Sequence, residues 1–142
     1  MKNQSGVTLL EVLMTITLLA ILLSVAIRFV RPNVQFERVR DTERKSEIRA
    51  IQLAISQYQK DNNGNVPEGI TTTDISICQP GCTQNSSQID ISQELDIYLE
   101  NGIPIDPLEE GDIITGYQVR VSNQGRIIVS APNAERETIT TE

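Results

Sequence analysis

Residues 7–27, "VTLLEVLMTITLLAILLSVAI", form the most apolar run of the chain and contain a single charged residue, Glu11. Extended to residue 30, a helix over this run would be about 36 Å long at about 1.5 Å per residue. That length exceeds the roughly 30 Å hydrocarbon core of a bilayer. The run therefore predicts a membrane-length helix, with an acid near its start that needs a partner.

Two simple interpretations explain this run less well. A secretory signal peptide has a shorter apolar region and a small-residue cleavage site, which do not occur here. A plain membrane anchor leaves Glu11 without a cation at i+3 or i+4, where Met14 and Thr15 lie. A cut after Gly6 would give Val7 a free amine, and this amine on a neighbouring copy could pair with the Glu11 carboxylate.

A short polar leader that ends in glycine, followed by "VTLLEVLMTITLLAILL", resembles the class III signal of type IV pilins and type II secretion pseudopilins. The residues that match are Gly6, Thr8, Leu9, Leu10 and Glu11. The resemblance implies that a prepilin peptidase cuts between Gly6 and Val7 on the cytoplasmic side and N-methylates Val7. It also implies that Glu11 is the acid required for subunit assembly.

We expect four segments along the chain. They are a leader peptide (1–6), a transmembrane and filament-core helix (7–30), an amphipathic continuation of that helix (31–62) and a C-terminal globular region (63–142). Pro32 should kink the helix, and Gly64 should cap its end. One apolar stripe of the continuation should pack on a sheet, and its residues are Ile48, Ile51, Ile55 and Tyr58.

Mixed charges at helical spacing fill residues 40–47, with pairs expected at Asp41–Lys45, Arg40–Glu43 and Arg44–Glu47. Two interpretations stay open for this segment. It is either a solvated helix surface or a surface that meets complementary charges on a neighbouring subunit.

The C-terminal region predicts a loop over residues 66–91, then a short helix in "DISQELDIYLENGIP" with Asp90 or Ser92 as its N-cap. "TGYQVRVSNQGRIIVSAPNAE" predicts a β-hairpin that turns at residues 123–125. To close a core, the hairpin needs the Ile48–Tyr58 helix face, with a third strand from elsewhere left open. The polar tail after Pro132 is expected to fray. The predicted fold is α+β, a long N-terminal helix packed through its C-terminal half on a small antiparallel sheet.

Cys78 and Cys82, in "CQPGC", are the only cysteines, and the chain has no histidine. Two thiolates are too few for a structural zinc site, so a disulfide-closed loop outside the cytoplasm is preferred over two free thiols. The positive-inside rule opposes this orientation, because six cations follow the span. They are Arg28, Arg31, Arg38, Arg40, Arg44 and Lys45. We give precedence to the leader motif, to the acids interleaved with these cations and to the cysteine loop.

Composition excludes several functions. Without histidine, a phosphate-binding loop or a nucleophile motif, the chain is not expected to be an enzyme or to carry a cofactor. A net charge of −7 argues against nucleic-acid binding. "IPIDPLEEGDIITGY" resembles the Asp-Pro loop of pilins. The resemblance to calcium-binding pseudopilins makes four acids of this loop weak metal candidates, with a solvated acidic turn preferred: Asp106, Glu109, Glu110 and Asp112.

The resemblance implies a structural subunit of a type IV pilus-like homo-oligomeric filament, partnered by prepilin peptidase and the assembly machinery. The subunit would cross the inner or cytoplasmic membrane once before assembly and reach the cell surface as a fimbrium afterwards. The alternative is a pseudopilin of a type II secretion or competence (DNA uptake) system. A DNA-binding or adhesive pilin is a third possibility, which the acidic charge disfavours. Asn85-Ser-Ser fits an N-glycosylation pattern.

Overall fold

The computed structural model describes the backbone of residues 6–29 and 32–141 and the side chains of residues 6–29 and 34–141. Its elements in chain order are α1 (Leu9–Phe29), α2 (Pro32–Asp61), β1 (Ile75–Cys78), β2 (Gln88–Ile89), α3 (Ser92–Leu95), β3 (Ile114–Val121), β4 (Ile127–Ala131) and β5 (Ile139–Thr140). The predicted α+β class is confirmed. The chain divides into two units between Phe36 and Glu37. The kink was predicted at Pro32, which is the first residue of α2. Residues 30 and 31, between α1 and α2, lie outside the described residues.

One face of α2 forms the core together with the sheet. Ile48, Ile51 and Ile55 are at most 2% exposed, and Tyr58 packs at the margin of the same cluster. All five strands of the sheet contribute buried side chains to this cluster, among them Ile77, Tyr117, Val119 and Val129. The apolar stripe read from the sequence is therefore the face of α2 that packs on the sheet.

The predicted hairpin is present as β3 and β4, with Val119 opposite Val129 and Val121 opposite Ile127. Its turn contains Gly125, whose φ of 78° lies in the left-handed region that glycine adopts without strain. Side chains of β3 alternate between the core and the opposite face, as expected for a strand buried on one side.

The predicted loop over residues 66–91 is wrong, because it contains two strands. β1 pairs antiparallel with β3, and β2 pairs parallel with β1, in a sheet of order β2-β1-β3-β4-β5. The missed signal is a short alternation in which Ile75 and Ile77 flank the polar Ser76. The surrounding threonines and the Pro-Gly turn outweighed it in the sequence.

The polar tail does not fray. Its β5 pairs with β4, and Ile139 is only 3% exposed. Beyond it, the Thr141 backbone N–H donates to the Val129 carbonyl at 2.9 Å, and the Val129 N–H donates to the Thr141 hydroxyl at 2.8 Å. The tail, which we name the strap, thus forms the edge strand of the sheet beside β4. Its polar composition did not indicate this role.

Two local predictions about helix ends are partly revised. Asn63, with a φ of 56°, takes the first left-handed position after α2, and the Gly64 N–H then donates to the Gln59 carbonyl at 2.7 Å. This bond is typical of the Schellman motif, in which Asn63 is the C′ residue and Gly64 the C″ residue. The sequence instead predicts Gly64 itself as the capping residue. At α3 the predicted N-cap is wrong, because Ile91 occupies the N-cap position and makes no side-chain cap bond. The Asp90 carboxylate instead accepts from the backbone N–H and the hydroxyl of Ser92.

Candidate functional site

The surface of α1 is apolar and unpacked throughout the described residues. None of its side chains is buried, and its large apolar residues range from 45% exposed at Val12 to 84% at Leu9. Such a surface is unfavourable in water, since each Å² of apolar area left exposed forgoes about 25 cal/mol. By length and composition, α1 can cross a membrane. It needs lipid or other apolar helices around it.

The hydroxyl groups of α1 are satisfied inside the helix. Three of them donate to the backbone carbonyl three residues earlier: Thr15 to Val12 at 2.8 Å, Thr17 to Met14 at 2.9 Å and Ser24 to Ile21 at 2.8 Å. In an apolar medium an unsatisfied polar group costs several kcal/mol. These three hydroxyls therefore carry no such cost when α1 leaves water.

Glu11 lies in the first turn of α1, as the third residue of the helix. The Thr8 hydroxyl accepts from the Glu11 backbone N–H at 3.2 Å, and the Thr8 carbonyl accepts from the Val12 N–H at 3.2 Å. Thr8 is thus the N-cap, and "TLLE" has the spacing of a capping box. A carboxylate here also faces the positive end of the helix dipole. Sequence reasoning missed this second role for Glu11, although the spacing was visible.

The predicted cleavage position lies just before α1. Val7 is 70% exposed, and a side chain added at Gly6 would meet no atom within 4 Å. Among the ion pairs of residues 6–29 and 34–141, none involves Glu11. Cleavage at Gly6, methylation of Val7 and an assembly role for Glu11 stay predictions, and all three concern the exposed N-terminal end of α1.

A second polar site is buried in the other unit. The Arg44 guanidinium donates from Nε to Asp106 Oδ2 at 2.7 Å and from Nη2 to Asp106 Oδ1 at 2.9 Å. Neither side chain has exposed surface. The hydrogen bond to Asp106 raises the pKa of Arg44 against the opposing effect of burial. This bidentate geometry fixes α2 to the loop that precedes β3.

The same guanidinium also holds the tail. Arg44 Nη1 donates to Asp41 Oδ1 at 2.8 Å and to Glu135 Oε2 at 3.2 Å. Asp41 accepts the backbone N–H groups of Glu135 and Arg136, each at 3.1 Å, and Arg40 pairs with Glu135 through two bonds of 2.7 Å. Burial alone would raise the pKa of Asp41, but these hydrogen bonds outweigh it and lower the pKa below 3.8. We name Arg40, Asp41, Arg44, Asp106 and Glu135 the charged clasp.

The clasp corrects the prediction for residues 40–47. The expected pairs along the helix are not among the ion pairs of the described side chains. Lys45 instead contacts Glu137, and Glu47 accepts a hydrogen bond from the Tyr117 hydroxyl. Burial raises the pKa of Glu47 despite that bond. The spacing of charged residues along one helix could not show that the C-terminal tail packs against residues 40–47.

The cysteine loop follows β1. The sulfur atoms of Cys78 and Cys82 lie at disulfide distance, with their Cα atoms 6.2 Å apart. The Gly81 N–H donates to the Asp90 carboxylate at 3.0 Å, which ties this loop to the start of α3. The sequence-predicted disulfide is compatible with this geometry.

The four calcium candidates do not act together. Asp106 is bound by Arg44, and Glu109 accepts from the Asn133 amide at 2.7 Å, whereas Glu110 and Asp112 are exposed. No group of three or more acidic or thiol side chains is placed to hold a metal ion in the part of the chain that the structure describes. A solvated acidic turn stays the preferred interpretation, and the weak calcium candidates stay untested.

Comparison with protein families gives a match at the N-terminus. Residues 1–27 match the family model described as the prokaryotic N-terminal methylation motif. The match includes Gly6, Val7, Thr8, Glu11 and most of α1. Comparison with curated proteins and with solved structures gave no significant match.

Proposed function

Because residues 1–27 carry the class III signal of type IV pilins and pseudopilins, we propose that this chain is the structural subunit of a type IV pilus-like filament. The motif implies filament assembly with prepilin peptidase and membrane machinery, and it marks structural subunits rather than an enzyme class. The observation that carries the proposal is the exposed apolar surface of α1, which has no buried residue, immediately after the motif's cleavage position.

Before assembly, α1 is held in the inner or cytoplasmic membrane. Its roughly 32 Å length matches the bilayer core, and its hydroxyls are satisfied without water. After cleavage, α1 moves from lipid into a core of identical helices. Lipid tails are as apolar as its side chains, so close packing and polar pairing between helices decide the association.

The polar pair in this proposal is the new amine of Val7 and the Glu11 carboxylate of another copy. A charged group inside a membrane costs about 2.5–3.5 kcal/mol at the helix centre and less near its ends. Pairing with an amine offsets part of this cost, and only one register between two helices allows the pair. Glu11 therefore selects how far one subunit is displaced along the next.

Pilins and pseudopilins share this signal, so the choice between them rests on what the filament does. We propose the pilus-like subunit, with the finished filament at the cell surface. Electron microscopy of the source cells, which express the chain from its native gene, tests this choice. Abundant surface filaments composed mainly of this chain support a pilin, whereas filaments confined to the cell envelope would indicate a secretion or competence pseudopilin.

Mass spectrometry of assembled material tests the proposal itself. We expect a chain that lacks residues 1–6 and carries one methyl group on the Val7 amine. A Gly6→Val variant should keep the leader and remain in the membrane, because the added side chain alters the residue before the cut. Filaments built from chains that retain Met1 to Gly6 would refute the proposal.

A further inference from the structure

A groove runs along one side of α2 in the unit formed by residues 37–142, which we name the folded unit. It consists of two adjoining cavities of about 450 and 410 Å³, which share Lys45 and Glu137 in their walls. Four cations line it, and we name them the basic groove: Arg38, Lys45, Arg49 and Arg136. The groove lies between α2 and the strap formed by residues 136–141.

Internal ion pairs neutralise only part of the groove. Lys45 contacts Glu137, and Arg136 lies 3.6 Å from Glu37. Arg38 and Arg49 are exposed, and neither makes an ion pair within residues 6–29 and 34–141. The remaining acid of the groove, Asp41, is engaged by Arg44. Two guanidinium groups thus remain available to a ligand.

The complementary charge lies on another part of the same chain. Residues 61–119 contain eleven acidic residues and no lysine or arginine. Four of these acids are exposed in the turns around α3 and before β3, and we name them the acidic loops: Asp96, Glu100, Glu110 and Asp112. Across the described side chains, none of the four has an ion-pair partner.

Copies of a chain with a net charge of −7 repel one another unless unlike patches face each other. Arginine side chains suit such a contact, because the planar guanidinium binds a carboxylate through two hydrogen bonds. Complementary patches also set orientation and suppress alternative contacts more than they add raw affinity. An anionic lipid or free phosphate would fill the groove but leave the acidic loops without a partner.

We propose that the basic groove of one copy binds the acidic loops of a neighbouring copy. This interface rests on the proposed filament function, which brings copies side by side through α1. It is formed by the folded units alone and is separate from the Val7–Glu11 pair. Its role is to fix the rotation of one folded unit against the next.

Carbodiimide coupling in an Arg49→Lys variant tests the interface. The reagent joins a lysine amine to a carboxylate in direct contact, forming an amide while the carbodiimide takes up water and becomes a urea. The full-length chain is treated both in sheared filaments and in detergent, as a mixture of ¹⁵N-labelled and unlabelled copies. We expect linked peptides of mixed isotope that join residue 49 to the acidic loops.

Arg126→Lys is the matched control, because Arg126 is exposed in the β3–β4 turn and does not line the groove. Coupling from residue 126 to the acidic loops should be absent. Coupling from residue 49 should be lost in about 1 M NaCl, where the Debye length falls to about 3 Å. A second variant, Arg38→Glu with Arg49→Glu, should lose self-association in detergent, and Glu100→Arg with Glu110→Arg on a second chain should restore it.

Three results would overturn the inference. The first is equal coupling to the acidic loops from residues 49 and 126, and the second is coupling only within one copy. The third is that phosphatidylglycerol vesicles protect the lysine at residue 49 from reaction while no coupling between copies is found. Filaments that form without the coupling would reject this interface and leave the proposed function standing. Coupling in detergent, from a chain that never forms filaments, would support the interface and reject the function.

Discussion

The Arg44 guanidinium and the Asp106 carboxylate form two parallel hydrogen bonds, 2.7 and 2.9 Å long, with no exposed surface on either side chain. Sixty-two positions separate the two residues in the chain. Arg44 comes from a helix segment that reads as water-exposed, and Asp106 from a loop that reads as an acidic turn. Their pairing makes both segments part of the interior.

Replacing Arg44 by methionine should destabilise the folded unit by about 3–5 kcal/mol, because it leaves the buried Asp106 charge unpaired. Urea unfolding of the full-length chain in detergent, followed by tyrosine fluorescence, measures this loss. Arg126→Met removes an exposed arginine and should change stability by no more than about 0.5 kcal/mol. Equal effects of the two variants would show that the Arg44 pair contributes little.

Gly116→Ala should weaken the same region through backbone and packing. Gly116 has a φ of 82°, and a Cβ there would lie 2.6 Å from the Asp106 Cβ. We expect about 1–2 kcal/mol from the left-handed conformation and a further loss of about 1–3 kcal/mol from overpacking. Gly125→Ala is the control, because its φ is 78° but the space around it is open. Similar losses in the two variants would argue against the close contact with Asp106.

Acid should release the tail. The pKa of Asp41 is lower in the folded chain than its ordinary value of 3.8, so the unfolded chain binds more protons between these two values. The stability from Asp41 is therefore complete above pH 3.8 and is lost as the pH falls through the folded pKa. Hydrogen exchange at the Val129 and Thr141 amides should accelerate in that window. Asp41→Asn should be less stable at neutral pH and less sensitive to acid.

Glu47 should show the opposite dependence. Burial raises its pKa above the ordinary value of 4.5, so the folded chain binds more protons than the unfolded chain. The stability from Glu47 is present below pH 4.5 and is lost as the pH rises through the folded pKa. Glu47→Gln keeps an acceptor for the Tyr117 hydroxyl and should raise the urea midpoint at neutral pH. A lower midpoint would mean that the charged carboxylate is the better partner.

The packed face of α2 can be tested by two neighbouring positions. Ile51 has no exposed surface, whereas Leu53 is 62% exposed. Ile51→Ala should lower the free energy of unfolding by about 2–5 kcal/mol through the cavity it leaves. Leu53→Ala should cost less than about 1 kcal/mol. The same urea titration compares the two, and a reversed order would place the wrong face of α2 against the sheet.

Glu11 has two candidate roles that a pair of variants separates. Glu11→Gln keeps a capping-box residue of similar size but removes the charge, and it should insert into the membrane yet assemble poorly. Thr8→Val removes the cap, which costs about 1 kcal/mol, but leaves the carboxylate for pairing and should assemble nearly normally. Filament yield per inserted subunit is the measurement. If only Thr8→Val assembles poorly, capping is what matters.

The N-terminal segment was predictable from its unbroken apolar run, and the stripe on α2 and the β3–β4 hairpin from a strong local period. Ile48, Ile51 and Ile55 repeat at helical spacing, and Tyr117 and Val119 alternate along a strand. Such periodic patterns arise because one face of a single helix or strand is buried in the core. They carry enough information to identify that element without its neighbours.

The clasp and the strap were not predictable because their meaning depends on pairs that are distant in sequence. Arg44 looks like any other exposed cation until Asp106 and Glu135 are brought to it. Likewise, Ile139 is one apolar residue in a polar tail, and only its position beside β4 buries it. Long-range ion pairs and edge strands have no local period that reveals them.

The hydroxyls of Thr15, Thr17 and Ser24 donate to backbone carbonyls of α1 itself. These donors therefore need no hydrogen-bond acceptor from the medium around the helix. A helix that keeps its own donors occupied exchanges none of these hydrogen bonds when it passes from acyl chains to a bundle of protein side chains. The partition of α1 between the two media then depends on contact area and on one carboxylate. A change in the charge or pairing of the Glu11 carboxylate can therefore shift α1 between the lipid bilayer and the helix bundle.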